Sequence, residues 1–503
     1  MPKRVSTHEL VLPENHSGVP QYLWLGDALR RAILDGRLKP GSKLPASRDL
    51  ARQYKLSRGT IVTAFEQLAA EGYVSGRVGS GTYVSDTLPE RLFTSRRKTT
   101  GPAKVRPARQ REPDVLRVKA FPLSDFLTRV RPFRANVPAL QLFPTALWAQ
   151  TMSRRLRRLT SSQLLGSETA GHRPLREQIA EYLRVARGVR CSYEQVVVVS
   201  GAQEALDLVA RLLVQRGDAV FAEDPGYVGA WRVFEALGAR VLPLAVDHEG
   251  ATTPDARQAA RLAYVTPAHQ CPLGVSMSAS RRLALLEWAQ RAGAFVVEDD
   301  YDSEFRYEGR PLPALHSLDA TDSVILCGSF SKVLFPSLRL GYLVVPPDLI
   351  EPLTALKSVT ARHAPLLDQI ALADFMADGH FARHIRRMRE VYAERLATLI
   401  DSARQRLQGL LDISSVAAGL QTVGWLAPSI DADAAIAAAT TRDVVVMPVR
   451  ERGQRTMPNN ALVLGFAAFD PQDIRAGVRN LASALEAVQR KGRPQKGAVR
   501  NQS

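Results

Sequence analysis

Between residues 22 and 34 apolar side chains recur at helical spacing, with Leu25, Ala28, Leu29, Ala32 and Ile33 on one face. Gly36 and the Pro40-Gly41 turn end that helix. Ser47 reads as the N-cap of a short helix through Tyr54. Ser57 reads as the N-cap of another, reaching about Glu71, with Ile61, Phe65 and Leu68 inward. Gly72 stops it. Tyr73-Val74 and Thr82-Tyr83-Val84 then alternate as short strands around a basic, glycine-rich turn, residues 75–81. Helices followed by a two-stranded wing predict a winged helix-turn-helix (α+β) over residues 1–86.

The pattern changes twice after that. Residues 87–139 are rich in Pro, Arg, Lys, Ser and Thr with little periodicity and read as a basic linker. From about residue 140 short apolar runs alternate with helical stretches, as in Val196–Val199, Ala219–Phe221, Leu262–Val265, Phe295–Val297, Ser323–Leu326 and Gly341–Val345. Continuous apolar strands between helices predict an α/β sheet covered on both faces over residues 140–490. Residues 380–490 read as a smaller α+β subdomain, and 491–503 as a basic disordered tail.

Charge sharpens this division. The 503-residue chain carries +17, with +4 on residues 1–86, +7 on 87–120 and +5 on 487–503, which leaves the remainder nearly neutral. Such placement points the N-terminal part at a polyanion. No run approaches the roughly 20 apolar residues that span a membrane. The start, Met1-Pro2-Lys3-Arg4, leads into polar residues. Cys191, Cys271 and Cys327 are too few and scattered for a disulfide framework or zinc site, so a reducing cytoplasm is expected.

In a helix-turn-helix the second helix presents its first residues to the major groove. Here these are Ser57, Arg58, Gly59 and Thr60. Arg58 suits guanine or phosphate, Ser57 and Thr60 suit phosphate or methyl contacts, and Arg48 on the preceding helix suits a phosphate. In the wing, Gly79 and Gly81 permit close backbone approach, and Arg77 adds charge. The stretch from Gly36 to Ala51, with Leu56–Thr60 and Gly79–Thr82, resembles the GntR class of bacterial transcription regulators over about residues 20–85. That resemblance implies double-stranded operator DNA as a partner, and a site on the bacterial nucleoid when bound.

A second constellation centres on Lys332, in Gly328-Ser329-Phe330-Ser331-Lys332. A lysine amine can form a Schiff base. Small hydroxyls and an arginine, here Ser329, Ser331 and Arg339, can hold a phosphate. The aldehyde these suggest is pyridoxal 5′-phosphate (PLP). Its ring nitrogen needs an acid to stay protonated. Asp299 suits that role and Tyr301 suits donation to the ring's phenolate oxygen, since both lie at the C-terminal end of a strand. Ser200-Gly201-Ala202-Gln203 joins a strand to a helix start, where the amides of Ala202 and Gln203 can bind phosphate. Tyr227 can lie over the ring or be a packed core tyrosine.

These positions, with Asp224–Tyr227, Pro267–Gly274 and Arg339–Gly341, resemble the fold-type I aminotransferases over about residues 140–485. Joined to the N-terminal module, the whole is similar to the MocR/GabR-type regulators. The resemblance implies PLP on Lys332 and a homodimer with exchanged DNA-binding heads. It also implies control of amino-acid, amine or vitamin B6 genes.

Three departures stand out. Cys271 falls where aminotransferases often carry an asparagine, and a thiol is a weak donor. Val463-Leu464-Gly465-Phe466 replaces the frequent Arg-Leu-x-Phe, whose arginine forks a substrate carboxylate; Arg455 is a candidate substitute. The tyrosine that commonly reaches a partner's phosphate has no counterpart in residues 164–168. The expectation is a PLP-binding regulator with little turnover, sensing an amine, an amino acid or PLP itself. The alternatives are an active aminotransferase carrying a DNA-binding head, and a plain repressor whose large domain only dimerises.

Overall fold

The structure is a computed structural model, describing residues 12, 19–77, 80–86, 130–255, 257–307, 313–413, 416–450 and 460–492. The chain divides into two compact units after residue 110.

The N-terminal unit holds α1 (Gln21–Leu34), α2 (Ser47–Gln53), α3 (Arg58–Ala70) and the antiparallel pair β1 (Val74–Arg77) and β2 (Gly81–Val84). Its core is the apolar stripe expected of the helices, with Leu25, Leu29, Ile33, Leu50, Ile61 and Leu68 almost fully buried. Arg30 of α1 reaches Glu71 beyond α3 at 3.0 Å through Nε, and so ties the first helix to the end of the third. One boundary differs from expectation. Ser47 is the first residue of α2, and Ala46 is its N-cap, with no side-chain cap bond.

In the second unit α4 (Thr145–Leu156), α5 (Ser161–Leu165) and α6 (Arg173–Arg187) precede the sheet. Strands β3 (Val196–Val199), β4 (Ala219–Asp224), β5 (Arg240–Asp247), β6 (Gly250–Ala251), β7 (Leu262–Val265), β8 (Phe295–Asp300), β9 (Val324–Ser329) and β10 (Gly341–Val344) form one sheet. Its order is β3-β10-β9-β8-β7-β4-β5-β6. The β5, β4, β7, β8 and β9 ladder is parallel, and β10 runs antiparallel to both neighbours. The C-terminal ends of β3, β4, β7, β8 and β9 therefore share one edge with the start of β10.

Helices α7 (Ala202–Leu213), α8 (Val228–Ala236) and α9 (Ala279–Ala292) connect the strands, and α10 (Pro347–Thr360) follows them. Alternation splits each strand between two layers. Val197 and Val199 pack with Leu206 and Val209 of α7, whereas Val196 and Val198 pack with Leu175 and Ile179 of α6. Trp288 and Leu285 of α9 cover Val265 and Val296.

The remainder is α11 (Leu366–Ala377), α12 (His380–Arg406), β11 (Leu411–Ile413), β12 (Gln421–Leu426), α13 (Ala432–Thr440), β13 (Met447–Pro448), β14 (Ala461–Gly465) and α14 (Pro471–Gly492). Its strands form an antiparallel sheet of order β11-β12-β14-β13.

The linker expected to run to residue 139 ends earlier. Phe133 is fully buried, its carbonyl accepts the Gly465 amide at 2.8 Å, and Ala139 donates to the Tyr392 hydroxyl at 2.9 Å. This segment belongs to the large unit, because burying Phe133 outweighs its polar, Pro- and Arg-rich surroundings. Residues 87–129 and the basic tail from 493 lie outside the described residues.

Candidate cofactor site and nucleic-acid interface

In the N-terminal unit Ser57 caps α3. Its Oγ accepts the Thr60 amide at 3.0 Å and lies 2.8 Å from the Thr60 hydroxyl. Both hydroxyls are thus engaged locally, which fixes the first turn of α3. Arg58, the first helical residue, is exposed, as is Arg48 on α2. Gly81 opens β2 at φ +113°, and a Cβ there would lie 2.9 Å from Cε of Lys43. The glycine therefore makes room for Lys43, whose Nζ lies 5.8 Å from the Tyr83 ring centroid. Sequence reading missed Lys43. Arg77 ends β1, with its side chain outside the described residues, as is Gly79.

At the C-terminal edge of the large sheet, β8 delivers Asp299 into a buried setting. Its Oδ2 accepts the Tyr264 hydroxyl at 2.6 Å, while Oδ1 is buried with no partner. Burial raises the Asp299 carboxyl to about 7, against the opposing pull of Tyr264 and, more weakly, Lys332. A buried acid with one oxygen unspent fits a protonated ring nitrogen, which would satisfy it and restore its charge.

Two residues on, the Tyr301 hydroxyl lies 3.1 Å from Nδ1 of His269, and that nitrogen is 3.0 Å from both carboxylate oxygens of Asp302. With the Nδ1 proton directed at Asp302, Tyr301 keeps its own proton for another acceptor. His269 and Asp302 are both buried. Neither was singled out from sequence, because they meet only in the fold.

Lys332 follows β9. Its Nζ donates to the Asn136 carbonyl at 2.8 Å. Burial lowers the amine below its ordinary value, opposed by Cys271, Asp302 and Asp299. Such a lysine is more readily neutral and nucleophilic. Asn136 holds φ +63°, which turns its carbonyl toward the lysine. It escaped the sequence reading because it fell in the supposed linker.

Glu223, raised to about 7 by burial, organises the adjoining loop. It accepts from the Thr266 amide at 3.0 Å, the Thr266 hydroxyl at 2.5 Å and Gln270 Nε2 at 3.0 Å. Thr266 Oγ1 in turn accepts the Cys271 amide at 3.0 Å. Burial, then Glu223, pushes the Cys271 thiol up to about 12, so it is a neutral and weak donor.

The residues expected at the phosphate gather on the neighbouring strands. Gly201, at φ +97°, caps α7 without a side-chain bond, and Ala202 and Gln203 open the helix. A Cβ on Gly201 would lie 3.5 Å from an Arg339 guanidinium nitrogen. Arg339 itself holds φ +50°. A Cβ on Gly341 would lie 2.7 Å from the Gly328 carbonyl oxygen, so its absence lets β10 run close beside Ser329. Ser329 Oγ accepts the Ser331 amide at 3.2 Å and keeps a proton to donate. Gln203 Nε2 donates to the Tyr227 hydroxyl at 2.8 Å. Ser200 turns its amide inward to Glu204, at 2.5 Å. The Tyr227 phenol is raised to about 12 by burial.

The small sheet contributes differently. Val463 packs among Ala135, Val423, Val449 and Ala461 and makes an apolar wall. Arg455 lies outside the described residues. Leu164 and Leu165, at the end of α5, are 72% and 92% exposed, so the described residues leave them largely uncovered.

Comparison with known proteins agrees with both halves. Residues 21–84 match the gntR family of bacterial regulatory proteins, and residues 135–481 match aminotransferase class I and II. The chain is 39% identical to a probable rhizopine catabolism regulatory protein, MocR, of Rhizobium meliloti, over 96% of this chain and 97% of that protein. It is 30% identical to the pyridoxine biosynthesis transcriptional regulator PdxR of Corynebacterium glutamicum, over 94% of this chain and 97% of that one. Among solved structures, the α-aminoadipate aminotransferase LysN of Thermus thermophilus, complexed with N-(5′-phosphopyridoxyl)-L-leucine, superposes with a TM-score of 0.67. It shares 29% identity, over 75% of this chain and 97% of its own. The chain belongs to the MocR-type transcription regulators, in which a gntR-family DNA-binding domain is joined to a class I and II aminotransferase domain.

Proposed function

We propose that this PLP-dependent regulator reports the state of its Lys332 site as a change in operator affinity. The observation that carries the reading is Asp299. A buried acid with an unpartnered oxygen, electrostatically coupled to the half-buried Lys332, is costly by itself and useful to a bound pyridinium. When bound, PLP supplies an aldehyde that condenses with primary amines and a ring that withdraws electrons.

The chain's own residues divide the work. Lys332 anchors the cofactor, and Asn136 holds the amine until then. Asp299 keeps the ring nitrogen protonated, with Tyr264 fixing the carboxylate. Tyr301 donates to the phenolate oxygen, oriented by His269 and Asp302. Tyr227 covers the ring, and its hydroxyl on Gln203 sets its tilt. Ala202, Gln203, Ser329, Ser331 and Arg339 hold the phosphate. Arg48, Ser57, Arg58, Thr60 and Lys43, with Arg77, Gly79 and Gly81 of the wing, are the residues that would contact operator DNA.

The signal would be an amine or amino acid competing with Lys332 for the cofactor's aldehyde, or PLP itself. Val463 inside an apolar cluster favours sensing over transamination, because among the described residues it puts an apolar side chain where a forked cation would meet a substrate carboxylate. Exposed Leu164 and Leu165 favour a second copy of the chain as partner. The protein acts where the chromosome is, in the bacterial cytoplasm.

The test combines spectroscopy with DNA binding. Purified protein gains a visible absorption band with PLP, and Lys332→Ala removes it. Operator binding changes when PLP or an amine is added. Failure to bind PLP at saturation rejects the reading, and multiple-turnover transamination of common amino acids replaces it with an enzyme.

A further inference from the structure

Lys357, on α10, is fully buried. Lysine is almost never so placed without a partner. Its Nζ donates to the Arg362 carbonyl at 3.1 Å and lies 3.9 Å from Oε1 of Glu204. Glu204 stands in the first turn of α7, and its other oxygen accepts the Ser200 amide at 2.5 Å. Its Oε1 is buried and makes no hydrogen bond among the described residues, where the Lys357 charge is its partner.

A carboxylate therefore sits on the helix terminus that forms the phosphate cradle. Helix N-termini favour anions, and here a side-chain anion and a ligand phosphate claim the same one. Glu204 fixes the Ser200–Gly201 turn, but its negative charge would repel a phosphate dianion bound at the adjacent amides. Lys357 approaches from the protein interior and cancels that charge. Closing the end of α10 on the Arg362 carbonyl does not by itself need an ammonium, and burying one is expensive unless its charge is used.

We propose that Lys357 preserves the site's selectivity for a phosphorylated cofactor by neutralising Glu204, the residue that positions the Ser200–Gly201 turn. The inference rests on the reading that the 200–203 turn receives the cofactor's phosphate.

The test compares PLP with pyridoxal, which carries the aldehyde and ring but no phosphate, by equilibrium titration of the full-length protein. Lys357→Met weakens PLP on the order of tenfold, because it leaves an unbalanced carboxylate beside the phosphate, and moves pyridoxal by less than about twofold. Adding Glu204→Gln to Lys357→Met restores PLP to within about threefold of the parent. Glu204→Gln alone keeps or tightens PLP binding, and reports independently should Lys357→Met fold poorly. Equal weakening of both ligands by Lys357→Met, unchanged PLP affinity, no rescue in the double variant, or loss of PLP on Glu204→Gln alone each overturns the proposal. A parent protein that binds neither ligand would instead reject the cofactor reading on which it rests.

Discussion

Asp299 pays for its usefulness in stability. Its carboxyl titrates near 7 in the fold, against about 4 in an unfolded chain, a gap worth about 3–4 kcal/mol. The folded state holds this proton more tightly, so its contribution to stability is complete below the unfolded value. It is lost as pH rises through about 7. Without cofactor, Asp299→Asn is thus expected to unfold later than the parent above pH 7, by about 2–4 kcal/mol, with the gap closing toward pH 4. Denaturant midpoints of the large unit across pH check this, and a pH-independent difference would contradict it. With PLP present the order reverses, because asparagine cannot partner a pyridinium. Asp299 and Lys332 were singled out from the sequence beside apolar runs, and the structure places Asp299 near the C-terminal end of β8 and Lys332 just after β9. Asn136, His269 and Asp302 were not. The His269–Asp302 contact exists only because β7 and β8 are neighbours in the sheet, and Asn136 was hidden by its linker-like surroundings.

Among the elements, α3 is the clearest case of local sequence dictating structure. Ser57 was read as its cap and is its cap, bonded to the Thr60 amide. Ser57→Ala is expected to cost the N-terminal unit about 1 kcal/mol, measurable as a lower thermal midpoint, and an unchanged midpoint would show the cap to be dispensable. On β12, Gln421 is almost fully buried with both amide atoms unpartnered, while Val423 two residues on lies in an apolar cluster. Replacing an unsatisfied amide with an apolar side chain of similar size removes a desolvation cost. Gln421→Leu should therefore stabilise the ligand-free protein by about 1–2 kcal/mol in denaturant melts; destabilisation would reveal a polar partner. Strand β5 escaped the sequence reading for a physical reason. Pro243 interrupts it, and its burial is patchy because it lies near the sheet edge beside the two-residue β6. Fully buried runs such as Val196–Val199 announce themselves, whereas half-covered strands near an edge do not.

At the scale of the whole molecule, the two-part organisation was plain in the charge distribution and in the switch from helical stripes to alternating strands and helices. What a single chain's sequence does not reveal is how one unit informs the other. Thermodynamic linkage nevertheless constrains any coupling. If PLP at Lys332 changes operator affinity by some factor, operator DNA must change PLP affinity by the same factor. The expected outcome is a reciprocal shift of about 5-fold or more at fixed salt, since regulatory couplings typically amount to 1–3 kcal/mol. Titrating PLP with and without operator, and operator with and without PLP, measures both sides of the cycle. Lys332→Ala should collapse the factor toward one while leaving intrinsic DNA contacts intact. Arg58→Ala should weaken the operator complex and flatten its salt dependence without touching PLP affinity in the absence of DNA. A factor of one in the parent protein would mean that the sheet edge and the winged helix share a chain without sharing a signal. The buried acid at Asp299 would then serve cofactor binding or catalysis alone.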